Sequence, residues 1–249
     1  MKAMILAAGL GTRLQPLTNS IPKALVKIKN HTLLEIVINR LKVFGVEQII
    51  VNVYHFADQI INYIKKNNSF DIQIEISREA SLLDTGGGLK NAAWFFENSD
   101  PFIIHNVDVL SDLDFHRMLL YFEKNNIQSV LATRSRKTSR YFLSDENNDL
   151  CGWESIRTNE KKMVRIPAGK LSRVSFMGIQ MVRPELLSLL PAQDKFSIID
   201  FYLAAAEYKT IKIMPCDDYR WLDLGKPEQL GMAESVFPEM FTEKKLYKK

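Results

Sequence analysis

From Ala3 to Ala7 the chain is an apolar strand, and it runs without a break into Ala8-Gly9-Leu10-Gly11-Thr12-Arg13-Leu14. Pro22-Lys23 comes shortly after. Glycines let a main chain approach an anion closely and turn its N–H groups toward it. Arg13 can fork onto phosphate oxygens, and Lys23 is a point charge held behind a stiff proline. The loop is no Walker motif, because it lacks a Gly-Lys-Ser/Thr, and Leu14 stands where a dinucleotide fingerprint needs its third glycine. Pro16 argues against an immediate helix, so an extended loop that wraps phosphate is expected. An ordinary strand-to-helix turn would explain a lone Gly-x-Gly. With Arg13 and Pro22-Lys23 added, the anion loop is the better account.

Beyond this loop, strand-like and helix-like segments alternate. Helical spacing runs from Leu33 to Phe44, with Leu34, Val37, Ile38 and Leu41 on one face and Gly45 as the stop. A strand is predicted from Gln48 to Tyr54, a helix from Asp58 to Lys66, a strand from Ile72 to Ile76 and a helix from Leu89 to Glu97. Phe102-Ile103-Ile104 is continuously apolar, as a strand covered on both faces is. Alternation of this length implies an α/β fold, a mostly parallel sheet flanked by helices. The second half is less regular. Helices are expected at Phe115 to Lys124, Pro184 to Leu190 and Ile198 to Tyr208. Strands are expected at Ser129 to Arg134, Leu150 to Ser155, Val174 to Val182, Ile211 to Met214 and Trp221-Leu222. Arg136 to Asn148 reads as loop, and Arg157 to Lys170 as a basic excursion.

Composition excludes several classes of function. No apolar run approaches the roughly 20 residues of a membrane span. The apolar N-terminus is too brief for a signal peptide. Two cysteines, Cys151 and Cys216, build neither a disulfide scaffold nor a zinc site, so a reducing cytoplasm is the expected compartment. The formal charge is +4, but Glu243 to Lys249 holds four lysines against one glutamate, which is +3 of it and leaves +1 for the rest. That basic end reads as a solvated tail, and a nucleic-acid partner is not expected.

Two carboxylates stand at strand ends. Asp108, in Ile104-His105-Asn106-Val107-Asp108, lies where open parallel sheets bind ligands. Near two cations it suits a divalent metal, or it caps the next turn. Asp223, in Trp221-Leu222-Asp223-Leu224-Gly225, precedes a glycine turn, and spacing alone does not bring it to Asp108. Asp112 and Asp114 form an Asp-x-Asp of the kind glycosyltransferases use with metals, yet they directly precede a helix and read as its cap. Leu83-Asp84-Thr85-Gly86-Gly87-Gly88 would open a helix with bare N–H groups, suited to a sugar hydroxyl, a base carbonyl or a phosphate. His31, His55, His105 and His116 form no catalytic or zinc set, and no nucleophile elbow is present.

Taken together, Met4 to Leu14, Pro16-Leu17-Thr18 and Pro22-Lys23-Ala24-Leu25 resemble the signature of sugar-1-phosphate nucleotidyltransferases. So do Gly45-Val46, Thr85-Gly86-Gly87-Gly88, Asn106-Val107-Asp108-Val109, Phe176-Met177-Gly178-Ile179 and Trp221-Leu222-Asp223-Leu224-Gly225. Leu83 to Leu89 and the compact size are most similar to the N-acetylmuramate-1-phosphate uridylyltransferase branch of cell-wall recycling. Mannose-1-phosphate guanylyltransferases and phosphocholine cytidylyltransferases have similar N-termini.

The resemblance implies one unit over 1–249: a nucleotide half to about 110, an acceptor half from about 111 to 240, and a tail at 241–249. It implies a Rossmann-like sheet, without an appended C-terminal β-helix, that joins an NTP to a sugar 1-phosphate. By resemblance Arg13, Lys23, Asp108 and Asp223 are catalytic, and Asp108 and Asp223 hold Mg²⁺. Ala7, Ala8, Gly9, Gly11, Thr12, Arg13, Lys23, Thr85, Gly86, Gly87 and Asn106 would bind nucleotide. Gly87 and Gly178 would meet the sugar. The Glu-Lys-Pro motif of larger relatives is absent, with Glu154 and Lys170 as candidate substitutes, and the usual Asn-Gly-Asp reads Asn106-Val107-Asp108.

Overall fold

A computed structural model describes residues 1–97, 99–124 and 127–241. The expected basic tail falls, after Phe241, outside the described residues. Alternation in the first strand builds both faces of the core. In β1 (Lys2–Leu6), Ala3 and Ile5 enter one apolar cluster, while Met4 and Leu6 enter another across the sheet. α1 (Leu33–Phe44), α2 (Ala57–Lys66) and α4 (Phe115–Lys124) cover the first cluster. α3 (Asp84–Asn91) and α5 (Ile198–Ala206) cover the second. The result is three layers, helix on sheet on helix.

At the centre, β6 (Phe102–Asn106), β1, β4 (Gln48–Val53) and β5 (Gln73–Arg78) run parallel in that order. β12 (Ser172–Val182) joins β6 antiparallel and carries the sheet outward through β9 (Arg140–Ser144), β10 (Leu150–Ser155) and β11 (Glu160–Met163). β8 (Ser129–Arg134) pairs with β12 as well and holds β13 (Ile211–Pro215) in parallel. Two short ladders stand apart, β2 (Lys27–Ile28) with β3 (His31–Thr32), and β7 (Val109–Ser111) with β14 (Trp221–Asp223). After β14 come α6 (Pro227–Val236) and a single turn at Pro238–Phe241, so no β-helix is appended among the described residues. Among them, too, no helix is long and apolar enough to cross a membrane.

Helix α1 shows how closely local chemistry sets an element. The Thr32 hydroxyl accepts from Glu35 N at 3.1 Å, and Gly45 closes the helix with φ 103°. Its predicted bounds are the observed ones. The helix expected at Leu89 to Glu97 lies earlier, at Asp84–Asn91, so the three glycines are inside it. Packing overrides their poor helix propensity. A Cβ on Gly86 would meet the Phe196 ring, one on Gly87 the Asp194 carbonyl, and one on Gly88 Asn52 Nδ2 at 2.6 Å. Gly87→Ala is therefore expected to destabilise the fold by about 1–3 kcal/mol, read as a lower urea midpoint with an unchanged slope.

The stretch Arg136 to Asn148, expected as loop, contains β9, and the basic excursion contains β11. β11 is a polar edge strand without the hydrophobic run that marks a buried one, whereas β9 lies between two other strands and carries only a three-residue apolar run, Tyr141-Phe142-Leu143.

Candidate active site

The carboxyl ends of β1, β4, β5 and β6 open onto one cleft of about 520 Å³. Ligands bind at that edge of open α/β sheets. The loop after β1 supplies Ala7, Ala8, Gly9, Gly11, Thr12 and Arg13 to its wall, and Lys23, Thr85, Asn106 and Asp108 line it too, whereas Gly86, Gly87 and Asp223 do not. Gly11 has φ 69°, which a side chain would strain, and a Cβ there would sit 3.0 Å from Thr18 Cγ2. The Thr18 hydroxyl donates to Gly11 O at 2.8 Å and pins the turn. Gly9 has open space around it.

Four charged side chains form two facing pairs. Lys23, only 8% exposed, bonds to Asp108 Oδ2. Arg13 Nη1 lies 3.9 Å from Asp223 Oδ2. The two aspartates, 115 residues apart in sequence, are neighbours through backbone geometry. In the β7–β14 ladder Asp223 stands opposite Val109, and Leu224 N donates to the Asp108 carbonyl at 2.8 Å. Gly225 N donates to Asp223 Oδ1 at 2.9 Å, and a side chain on Gly225 would intrude on both Asp223 and Arg13. The Val107 side chain, in place of the usual glycine, packs into the core, and its N–H bonds Leu6 O at 3.1 Å.

The expectation for Gly86 and Gly87 requires correction. Their N–H groups are not free for a ligand, because both bond the Phe196 carbonyl, at 3.0 and 3.2 Å. These glycines are packing residues that seat α3 against the 194–197 segment. Two cleft residues were not visible from motifs. Asn52 Oδ1 accepts from Ala7 N at 2.7 Å, and Asn52 Nδ2 donates to Glu79 Oε1 at 2.7 Å. Glu79 Oε2 accepts from Leu83 N at 3.1 Å, and burial pushes its carboxyl pKa up. Asn52 had a signal: one amide in the apolar run Ile49-Ile50-Val51-Asn52-Val53.

Beside this cleft lies a second one, of about 650 Å³, that shares Arg13, Asp84, Thr85 and Asn106 with it. Its far wall is Arg140, Trp153, Lys162 and Phe176, facing the start of α5. The two expected substitutes for the missing motif are not there. Strand side chains alternate, so Glu154 faces away from Trp153, and it pairs with Arg173. Lys170 is exposed in the loop before β12, where its N–H bonds Glu146 Oε1 at 3.3 Å. Gly178, at φ 78° in an irregularity of β12, leaves room for Asn106, whose Nδ2 would lie 2.8 Å from a Cβ there. It thus supports a residue common to both clefts.

The Asp-x-Asp pair divides. Asp114 caps α4, accepting from His116 N at 2.8 Å. Asp112 is no cap and instead holds Arg220 Nε at 2.7 Å. Neither lines the two clefts.

The sequence profile of the family described as nucleotidyl transferase matches residues 2–237. The chain belongs to that family. A UTP–glucose-1-phosphate uridylyltransferase from Synechocystis is 30% identical, over 91% of this chain and 60% of its own length. An N-acetylmuramate alpha-1-phosphate uridylyltransferase from Caulobacter vibrioides is 27% identical, over 95% of this chain and 97% of its own. The chain spans under two thirds of the length of several curated relatives, among them the Synechocystis enzyme and a Xenopus tropicalis mannose-1-phosphate guanylyltransferase subunit, at 60% and 62%. The structure of HddC from Yersinia pseudotuberculosis shares the fold, with a TM-score of 0.75, 23% identity, and 95% and 99% of the two chains covered.

His105 belongs to the core of this fold. It is fully buried, its Nδ1–H donates to Asn106 O at 2.8 Å, and its Nε2 has no partner among the described residues. Burial lowers its pKa from 6.5 to about 4. Its stabilising contribution is therefore present above pH 6.5 and is lost as pH falls toward 4. That shift corresponds to about 3 kcal/mol at about 1.4 kcal/mol per unit. Urea midpoints at pH 7 and pH 4.5 are expected to differ less in His105→Gln than in the parent.

Proposed function

We propose that the chain transfers a nucleotidyl group from an NTP, UTP in the first place, to a sugar 1-phosphate, N-acetylmuramate 1-phosphate. Pyrophosphate leaves and an NDP-sugar forms. The observation that carries this reading is the meeting of Asp108 and Asp223 at the strand ends, with Arg13 and Lys23 set against them. The Caulobacter relative, similar over 97% of its own length, supports the choice of base and acceptor.

An acceptor phosphate oxygen attacks the α-phosphorus in line. The bond from that phosphorus to the bridging oxygen breaks, and its electron pair leaves with pyrophosphate. The acceptor is already anionic near neutral pH, so no general base is required. Repulsion is the obstacle, since two unit charges 4 Å apart cost about 4 kcal/mol at an effective dielectric near 20. Arg13 and Lys23 offset part of it, and the loop after β1 holds the triphosphate with its N–H groups.

Asp108 and Asp223 would hold Mg²⁺. Their donor set fits: Mg²⁺ takes one or two carboxylates and completes its shell with phosphate and water. Among the described residues, no cluster of three or more acidic, His or Cys side chains forms a self-sufficient cage. Bound there, the ion supplies positive charge to phosphate oxygens. In this reading the chain acts as one catalytic unit in the cytoplasm, Gly9, Gly11 and Thr12 contact phosphate, and Asn106 and Gly178 stand where the two substrates meet.

Guanylyl transfer is the second reading, favoured by the guanylyltransferase among the relatives. Pyrophosphate release from four NTPs against a panel of sugar 1-phosphates separates the two. UTP with N-acetylmuramate 1-phosphate is expected to give the highest kcat/KM. Faster turnover of GTP with a hexose phosphate would replace it.

A further inference from the structure

The far end of the second cleft carries two cations, Arg140 and Lys162, with Asp200 beside Lys162. Arg136 lies 4.7 Å over the Trp221 ring and feels the Asp223 charge, so it belongs to the end where the chemistry occurs. Arg140 and Lys162 do not. In the β9–β10–β11 ladder Arg140 stands opposite Ser155, and Trp153 stands between Phe142 and Lys162. The period of two puts Arg140, Trp153 and Lys162 on one face, with the two cations' backbones about 12 Å apart, two strands across and two residues along.

Arg140 is exposed and has no ion-pair partner among the described residues. Lys162 has loose partners, Asp200 at 3.6 Å and Glu160 at 3.7 Å. Between them Trp153 and Phe176 form an aromatic wall, and Trp153 Nε1 is buried with no hydrogen-bond acceptor among the described residues. An aromatic wall suits the apolar face of a sugar ring. A free guanidinium on the wall of the cleft suits a planar anion, which Arg binds bidentately.

We infer that the acceptor carries a carboxylate distinct from its reacting phosphate, and that Arg140, assisted by Lys162 and Trp153 Nε1–H, selects it over a neutral sugar phosphate. The inference rests on the proposed transfer to a sugar 1-phosphate, but it concerns only how the acceptor is chosen. Binding is therefore measured apart from turnover. Calorimetry with a non-hydrolysable UTP analogue and Mg²⁺ compares N-acetylmuramate 1-phosphate with N-acetylglucosamine 1-phosphate, which lacks the carboxylate.

The parent is expected to bind the acid at least tenfold more tightly. Arg140→Ala is expected to erase that ratio while leaving the neutral sugar within about twofold, and Arg140→Lys to restore part of it. Because Arg140 has no ion partner to lose, the variant keeps the fold. Equal affinities in the parent would overturn the inference, as would a preference that survives both Arg140→Ala and Lys162→Ala. Pyrophosphate release in parallel keeps the two proposals distinct. A preserved binding ratio without turnover rejects the transfer reaction alone, and turnover without any ratio rejects the carboxylate alone.

Discussion

Asp108→Asn is expected to lower pyrophosphate release by about three orders of magnitude at saturating Mg²⁺, with KM for the nucleotide changed far less. The substitution keeps the shape of the side chain and removes its charge. The Asp108 side chain is 19% exposed, so an amide there leaves the fold intact. What it removes is half of the carboxylate pair proposed for the ion, together with the counter-charge that Lys23 now faces. Asp223→Asn is expected to do the same, because Asp223 lies one ladder position away through Val109. An unchanged urea midpoint with lost turnover marks the loss as chemical. Near-normal turnover in either variant would reject the metal assignment.

Lys23→Ala is expected to cost somewhat less, about 10²–10³ in kcat. Lys23 is 8% exposed, and Pro22, at φ −67°, fixes the backbone that presents it. Its position excludes water, which makes one charge worth more than at the surface. The single loss and the loss in Asp108→Asn are expected not to add, because each residue is the other's partner. A double variant no worse than Asp108→Asn alone would show this in a steady-state assay. Full additivity would place Lys23 and Asp108 in independent roles.

The glycine loop after β1 was legible because glycine, arginine and proline each carry a backbone or charge meaning at a particular position. The strand ends were legible for the same reason: Asp108 ends an apolar run, and Asp223 precedes a glycine. Their meeting was not, since only the β7–β14 ladder joins them, and three-residue strands leave little periodicity to read. Gly86-Gly87-Gly88 misled in an instructive way. Bare N–H groups and close packing both require glycine, and only the Phe196 carbonyl and the Asp194 backbone decide between them. The far wall of the second cleft was obscured because β11 is a polar edge strand and β9 offers only three apolar residues, Tyr141 to Leu143, to mark it. One residue of phase separates Trp153, which lines the cleft, from Glu154, which turns away from it. Asn52 could have been found, as a polar residue within an apolar parallel strand.

If two distant carboxylates share one divalent ion against the phosphates of two substrates, the ion itself can be seen on them. Anomalous diffraction from crystals grown with Mn²⁺ and a non-hydrolysable UTP analogue locates it. One manganese peak is expected, bonded to both Asp108 and Asp223 at about 2.1 Å, as for Mg²⁺, and to the nucleotide phosphate. A manganese peak bound to the nucleotide and to neither aspartate would contradict the shared ion.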